Sequence, residues 1–534
     1  MPQAVVAVAM KLGGSAGGFT DVTADVLSNL SCVYGIGGGG PTDRVASTGQ
    51  FSFTLDNSTN NSAGLVGYYS PGHANCRTGF DLGVIVRLSL TFASVTYYKF
   101  LGAIDSVTPE AGSRGSRRVS VVALDAIDAF AKFKIWGLEA RLNETSSDIV
   151  KLLIDDVCNT YWTLGTSLLG ETTRLGRTAG VGSPNTAAMV RARSIANGQD
   201  TYAIALDNTD DRSSTTLSEL SRICASELGY AYMRGDTVGG GTFVFESRAT
   251  RAALASSSFV VNETMTSLAT GRSRSDIINH VQIGVTSRDV GTTTEVLYSL
   301  QSKPSMLTGE TITLMGPYRD PQESQSKIAG LNPIDPVAST DYTMNTLADG
   351  SGTDVTSSHS VTAYGGANSV RFDVTNNSGA GSFITSLKIR GTVIRFTPVV
   401  AEAEDLSSQN TYGANTLSMA MPYQNDVGRA SGAAQFVLAT YSSPAVQTNQ
   451  VTVFGSDATR MTQVLAREVG DRIDLTETVS GLSSKAFVIQ QVGLTVADGG
   501  RMTQATWTLA PLDTTSVWLL GSSTLGETTR LAYL

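Results

Sequence analysis

Alternation of polar and apolar residues constrains this chain more than any other feature. Gln50-Phe51-Ser52-Phe53-Thr54-Leu55 sets polar side chains on one side and apolar ones on the other, and Val84 to Phe92 does so in its second half. Thr96 to Ala103 and Arg117 to Leu124 read as further strands, with glycine or asparagine clusters at 35–40, 57–61 and 112–115 between the segments. Short strands at this spacing predict a β-barrel or sandwich over the first 130 residues. Composition agrees: 54 of 534 residues are glycine, only 14 are proline, and charged residues make up 16%. At roughly 150 residues per domain the length implies three or four domains. A hydrophobic content of 41% builds cores rather than a disordered chain.

Three segments carry a helical period instead. Ile149, Leu152, Leu153 and Val157 form one stripe, capped by Thr145 or Ser146. Leu217, Leu220, Cys224 and Leu228 form a second, with a capping box expected between Thr216 and Glu219 and a stop at Gly229. A hairpin follows, Tyr230 to Arg234 with Phe243 to Glu246. The third helix runs from an Asn425 cap through Ala433, Phe436 and Val437. Between about 313 and 402 new strands appear among Asn, Gly and Asp turns, which reads as an inserted β-sandwich. Strands resume at Asn449 to Phe454, Arg472 to Glu477, Ala486 to Val492 and Gln504 to Leu509.

One phrase occurs twice. Trp162 to Leu175 returns as Trp518 to Leu531, sharing the tryptophan, both glycines and the whole Leu-Gly-Glu-Thr-Thr-Arg-Leu ending. It reads as a strand-turn-strand edge in which glycine turns and tryptophan packs, or as a docking tag used twice; Trp162, Arg174, Trp518 and Arg530 are then candidate assembly contacts.

Catalytic chemistry finds little footing. Gly13-Gly14-Ser15-Ala16-Gly17 is a formal G-x-S-x-G, but the elbow needs a helix after the serine and the sequence continues into another strand. Gly35 to Gly40 lacks the Lys-Ser/Thr and helix of a phosphate cradle. His73 with Cys76 cannot complete a tetrahedral site, His280 reads as a strand residue, and His359 lies in a Ser/Thr-rich loop. Asp207 to Asp211 lacks the glycine and distal glutamate of a calcium loop; Asp155-Asp156 and Glu402 with Glu404 read as solvated carboxylates. No catalytic, cofactor-binding or metal-binding residue is expected. Four separated cysteines argue against a disulfide framework, and the start lacks the positive region of a secretory signal. The net charge of −9 with three histidines is a poor match to general nucleic-acid affinity.

Several phrases, taken in order, resemble the tail hub proteins of long-tailed bacteriophages. They are Asp21 to Val26, Phe51 to Asn57, Tyr68 to His73, Phe100 to Ile104 and Val119 to Asp125, then Leu217 to Gly229, Phe243 to Arg248, Asp276 to Asn279 and Val469 to Ile473. The resemblance implies a mainly β fold with a few helices: two related β-barrel hub domains, a small α+β module and the inserted sandwich. The division expected is 1–130 for the first barrel, 131–200 for a helix and linker with one repeat copy, 201–270 for the helix-hairpin module, 271–312 with 403–515 for the second barrel, 313–402 for the sandwich, and 516–534 for the second repeat copy. It also implies a homotrimer whose barrels match a sixfold tube, with tail tube or distal tail proteins, a tape measure protein and a tail fibre or receptor-binding protein as partners. Such a protein would act at the tail tip of a virion assembled in the host cytoplasm, meeting the host surface. Genomic DNA would pass through without specific binding, and net negative charge would suit that lining. The alternatives are a glycan- or receptor-binding protein that stacks sugars on Tyr342, Tyr364 and Phe372 of the insertion, and a depolymerase or esterase.

Overall fold

The computed structural model describes the chain except for residues 1, 15–16, 111–115, 136–139, 159–172, 175–176, 179–183, 208–213, 255, 272, 324, 444–446, 513–516, 519–529 and 532–534. Six strands near the N-terminus, β1 (Val5–Met10), β2 (Val26–Gly35), β3 (Ser47–Asp56), β4 (Ile85–Phe92), β5 (Val95–Pro109) and β6 (Arg118–Leu124), lie in the order β2-β3-β6-β5-β4-β1. Six later strands are β7 (Phe259–Asn262), β8 (Ser267–Gly271), β9 (Gln447–Phe454), β10 (Arg472–Glu477), β11 (Leu482–Ala497) and β12 (Met502–Pro511). They lie in the order β8-β9-β12-β11-β10-β7. The second order is the first with six added to every number, so the two halves share one topology. They differ in the outermost strand: β1 runs antiparallel to β4, whereas β7 runs parallel to β10.

The halves also share an irregularity. The β5–β6 register slips between Ile104 and Ser106, and the β11–β12 register slips between Ile489 and Gln491. Each fifth strand therefore carries one bulge residue, Asp105 or Gln490, at the same place in the pattern. Strand β11 then pairs with β2, which fuses the halves into one thirteen-stranded sheet. Among the described residues no sheet closes into a barrel; where the sequence suggested two barrels, there are two halves of one open sheet.

One core serves both halves. Alternation buries Phe51, Phe53 and Leu55 from β3 and Val492, Leu494 and Val496 from β11. Three helices close over it. These are α1 (Ala126–Lys132), capped by Asp125, α2 (Ser146–Cys158) and α3 (Thr216–Glu227). The stripe Ile149, Leu152, Leu153 and Val157 is fully buried, as its spacing requires. The cap of α3 sits one residue earlier than the sequence suggests: Thr215 and Ser218 make the capping box. Glu219 is instead drawn inward to Arg222 and Tyr423.

Between β8 and β9 the chain leaves the sheet. His280–Ser299 and Ser382–Glu404 pair along nearly their whole length, a ribbon roughly 60 Å long at ~3.3 Å per residue. Helix α4 (Val427–Tyr441), capped by Asp426 and not by Asn425, lays Ala430, Ala433, Ala434 and Val437 on the ribbon's base. A separate core at the other end gathers Tyr342, Met344, Phe372, Val374, Ile384 and Leu387 from facing strands. A further helix, α5 (Ala458–Ala466), lies between β9 and β10. No described helix is long and apolar enough to cross a membrane.

Candidate assembly surface

The face of the sheet opposite the core crosses from one half to the other without a break. Cross-strand pairing sets Ser106, Val122, Ser52, Ser31, Thr495 and Gln504 side by side on β5, β6, β3, β2, β11 and β12. A second row runs Gln50, Val33, Gly493, Thr506, Thr452 and Ser267, ending on β8. Neither row contains a charge. The strands alternate, so the residues that place phenylalanine and leucine in the core place hydroxyl and amide groups outside. Charged side chains on this face lie beyond the two rows, Asp56 opposite Arg118 on β3 and β6, and Arg472 with Asp474 on β10.

At the joint, six residue pairs run from Gln491 opposite Gly35 to Val496 opposite Leu30. Gly35 has φ +114°, and a Cβ there would stand 2.4 Å from the Gln490 carbonyl oxygen, so glycine is needed for this approach. The next amide, Ile36 N–H, donates to that same carbonyl at 2.7 Å. A buried cation braces the joint from beneath. Lys99 on β5 is fully enclosed and donates through Nζ to the carbonyls of Leu465 at 3.0 Å and Arg467 at 3.2 Å, and to Glu468. Burial pushes the nearby Cys32 thiol up to about 12. Sequence reasoning missed Lys99, although a lysine inside the otherwise apolar and aromatic run Tyr97 to Leu101 was a visible signal. It also ended β11 at Val492, although Leu494 and Val496 continue the alternation.

The candidates for chemistry stay apart. Ser15 lies outside the described residues, and a two-residue strand, Thr20–Asp21, follows it. His73 Nδ1 accepts a hydrogen bond from the Asn75 amide at 3.0 Å, while the Cys76 thiol is directed at the Arg77 and Phe80 carbonyls. His280 is a strand residue beside Thr416 and Glu402. His359 is not in a loop: it is buried at the start of a strand, held by Val355 and Ser382. Asp207 forms a bidentate pair with Arg288, and Asp210 and Asp211 lie outside the described residues. Asp155 pairs with Arg193 and Glu402 with His280. Among the described residues no group of three or more His, Cys, Asp or Glu could hold a metal, and none of the four cysteines is in a disulfide. A cavity lined by Tyr34, Lys99 and Asp125 has a volume of about 10 Å³, room for one water.

The stacking platform expected in the insertion does not form. Phe372 and Tyr342 are buried in the second core, and Arg371 covers the Tyr364 ring at 5.4 Å. Of the repeat, Trp162 lies outside the described residues. The backbone of Arg174 lies in a two-residue strand, Trp518 and Arg530 in a second, parallel pair.

No family model and no curated protein matches the chain. Among solved structures it is similar to the 43 kDa tail protein of prophage MuSo2 from Shewanella oneidensis, with 10% identity, a TM-score of 0.47, and 96% of this chain and 99% of that one covered. It is similar to a tail protein from Neisseria meningitidis at 9% identity and a TM-score of 0.46, covering 95% and 96%. A third is the prophage tail protein gp18 from Listeria monocytogenes, at 8% identity and a TM-score of 0.39, with 94% of each chain covered. All three bear the name of tail proteins.

Proposed function

We propose that this chain is a structural virion protein, the trimeric hub at the tip of a phage tail. It closes the tail tube, gives the genome a channel, and joins the tube to the host-recognition parts. The observation that carries the reading is the repetition of one strand order in two halves joined so that uncharged rows of side chains cross from one half to the other. Three copies supply six such halves, which matches the sixfold tube that the hub resemblance implies. The shared face lines the channel. Hydroxyl and amide groups there offer a polyanion no cations to exchange for its counterions, so DNA slides past without being held.

In this reading residues 1–130 are the first hub domain; the second, expected at 271–312 with 403–515, takes in β7 and β8 from the end of the 201–270 module, and 313–402 belongs to an elaboration that includes the whole ribbon between β8 and β9. Trp162, Arg174, Trp518 and Arg530 contact neighbouring tail proteins, among them the distal tail, tape measure and fibre or receptor-binding proteins. The chain acts by shape and is not an enzyme. The test is the copy number of the chain in purified tails, together with its mass in solution. Three copies per tail are expected; six or one would overturn the hub.

A further inference from the structure

Three cations from distant parts of the sequence meet beside the hairpin of Tyr230–Arg234 with Thr242–Glu246. Arg87 lies on β4, paired with Ala9 of β1 and Leu101 of β5. Lys11 follows directly on β1, and its amide donates to the Ile85 carbonyl at 2.9 Å. Arg191 follows the short helix Pro184–Met189 and donates its amide to the Gly241 carbonyl in the hairpin turn at 2.9 Å. Its guanidinium lies along that turn, where a Cβ on Gly239 would stand 3.1 Å from Cζ.

Two aromatic rings fix the centre of the group. The Arg87 guanidinium stands 4.0 Å from the centroid of Phe19 and 4.7 Å from that of Tyr98. The Lys11 ammonium stands 5.4 Å from the same Phe19 ring. Tyr98 is itself tied to the turn, exchanging backbone hydrogen bonds with Asp236 at 2.7 and 3.0 Å. Rings beside a guanidinium orient it but leave the donors on its edge unused. Arg87 and Arg191 form no ion pair among the described residues, and Arg87 Nε is buried without a hydrogen-bond partner. The carboxylate of the turn faces its own loop: Asp236 accepts from the amides of Val238, Gly239 and Gly240 and from the Thr242 hydroxyl, each at 2.7 Å. Burial, followed by the charges of Arg191 and Arg87, lowers the Lys11 pKa. Burial lowers that of Arg87 as well, with Tyr98 opposing the shift and Arg191 adding to it.

Like charges held together repel until an opposite charge joins them. Here the repelling set is preformed, and its central member is partly stripped of water. We propose that this corner is a binding site for a compact phosphate dianion, either inorganic phosphate or a phosphate monoester. The planar edge of Arg87 matches two oxygens of such a group, and Lys11 and Arg191 complete its neutralisation. A single carboxylate would offset only one of the three charges. A nucleic acid is the poorer match, because the cations form one cluster and the rows that cross the joint carry none. The site goes beyond the hub reading and does not depend on it, since one copy of the chain supplies every residue.

Titration calorimetry of the full chain with inorganic phosphate, in a phosphate-free buffer of low ionic strength at about pH 8, tests the site. Saturable binding of one phosphate per chain is expected. Arg191→Gln and Lys11→Gln should each weaken it by about tenfold. Lys485→Gln, at an exposed lysine of β11, should leave it unchanged. Arg87→Lys should also weaken it by about tenfold although the charge stays, because the planar fork is lost. Arg191 is exposed, so its variant decides the matter even where Arg87→Lys fails to fold, which far-UV circular dichroism checks. No saturable heat up to about 10 mM phosphate, or an equal loss in Lys485→Gln, overturns the site. Acetate binding as tightly as phosphate overturns the dianion. Displacement of phosphate by an oligonucleotide without terminal phosphates overturns the compact ligand in favour of a strand.

Discussion

Tyr34 donates its hydroxyl to Glu468 at 2.9 Å, tying β2 to the turn after α5 beneath the line where the two halves of the sheet meet. The same carboxylate receives the buried Lys99 ammonium from β5 and the Gly235 amide at 3.1 Å. One glutamate thus holds three elements that are remote in sequence. Removing one member of a buried ion pair strands the other charge, at a cost of about 3–5 kcal/mol. Lys99→Ala and Glu468→Ala are each expected to lower the unfolding free energy, read by urea titration, by that amount. The double variant Lys99→Met/Glu468→Leu should lose less than the two singles added together, because no charge is left unpaired. Equal and additive losses would mean that the pair is not the brace described.

Gly35 is the backbone hinge of the same joint. Alanine there would carry a left-handed φ, at about 1–2 kcal/mol, besides a Cβ pressed onto the Gln490 carbonyl. Gly35→Ala should therefore destabilise by at least ~2 kcal/mol, whereas Gly64→Ala, at φ +69° with nothing near its Cβ, should show the conformational cost alone. Equal losses in the two variants would mean that the close approach of β2 to β11 is not tight.

The parts of this architecture that were legible in the sequence are the local ones. Alternation in Gln50 to Leu55 and the i, i+3, i+4 stripe at Ile149 to Val157 each name an element because the element's own residues decide it. Caps slipped by one where tertiary contact intervened: Glu219 looks like a capping residue, but Tyr423, far along the chain, draws it into the core. The joint was invisible for a related reason. Leu30 to Gly35 pairs with Gln491 to Val496 across more than 450 positions, and nothing in either segment names the other. The glycan platform failed because the residues chosen for it, Tyr342 and Phe372, lie on the inward side of their strands, and aromatic residues in strands serve the core before they serve a ligand.

Asp125 gives the fold a pH dependence with a definite sign. It caps α1 by accepting from the Ile127 amide at 3.0 Å, and its second oxygen is buried without a hydrogen-bond partner. Burial raises its pKa to about 7, against roughly 3.9 for a free aspartate. Between those values the folded state holds the proton that the unfolded state has released. Stability from this group is therefore fully present below about pH 4 and falls as pH rises to 7. At about 1.4 kcal/mol per pKa unit the fall is at most ~4 kcal/mol. Asp125→Asn keeps the capping oxygen and removes the titration. Urea midpoints measured from pH 4 to 8 should show a shallower decline for the variant, which ends more stable than the wild type above pH 7. Parallel pH profiles would mean that Asp125 is ionised throughout.

The uncharged rows make the sharpest functional prediction. Ser52 and Thr495 sit in one cross-strand row on either side of the joint, accessible and free of charged neighbours in that row. Lysine at either position leaves its ammonium in solvent, so Ser52→Lys and Thr495→Lys should change stability by less than about 0.5 kcal/mol. The proposed trimer would then line its channel with three new cations per substitution, six in the double variant. Each cation that meets a phosphate releases a counterion, so single-stranded DNA should acquire a measurable affinity. That affinity should fall with salt at a log–log slope of about −0.7 per contact. Tails assembled with the double variant should still form and adsorb, but should release their genomes more slowly. Fluorescence anisotropy with a labelled oligonucleotide at 50 and 200 mM salt reads the first effect, and dye uptake by ejected DNA the second. Unaltered DNA affinity and ejection in correctly assembled trimers would place this face away from the channel.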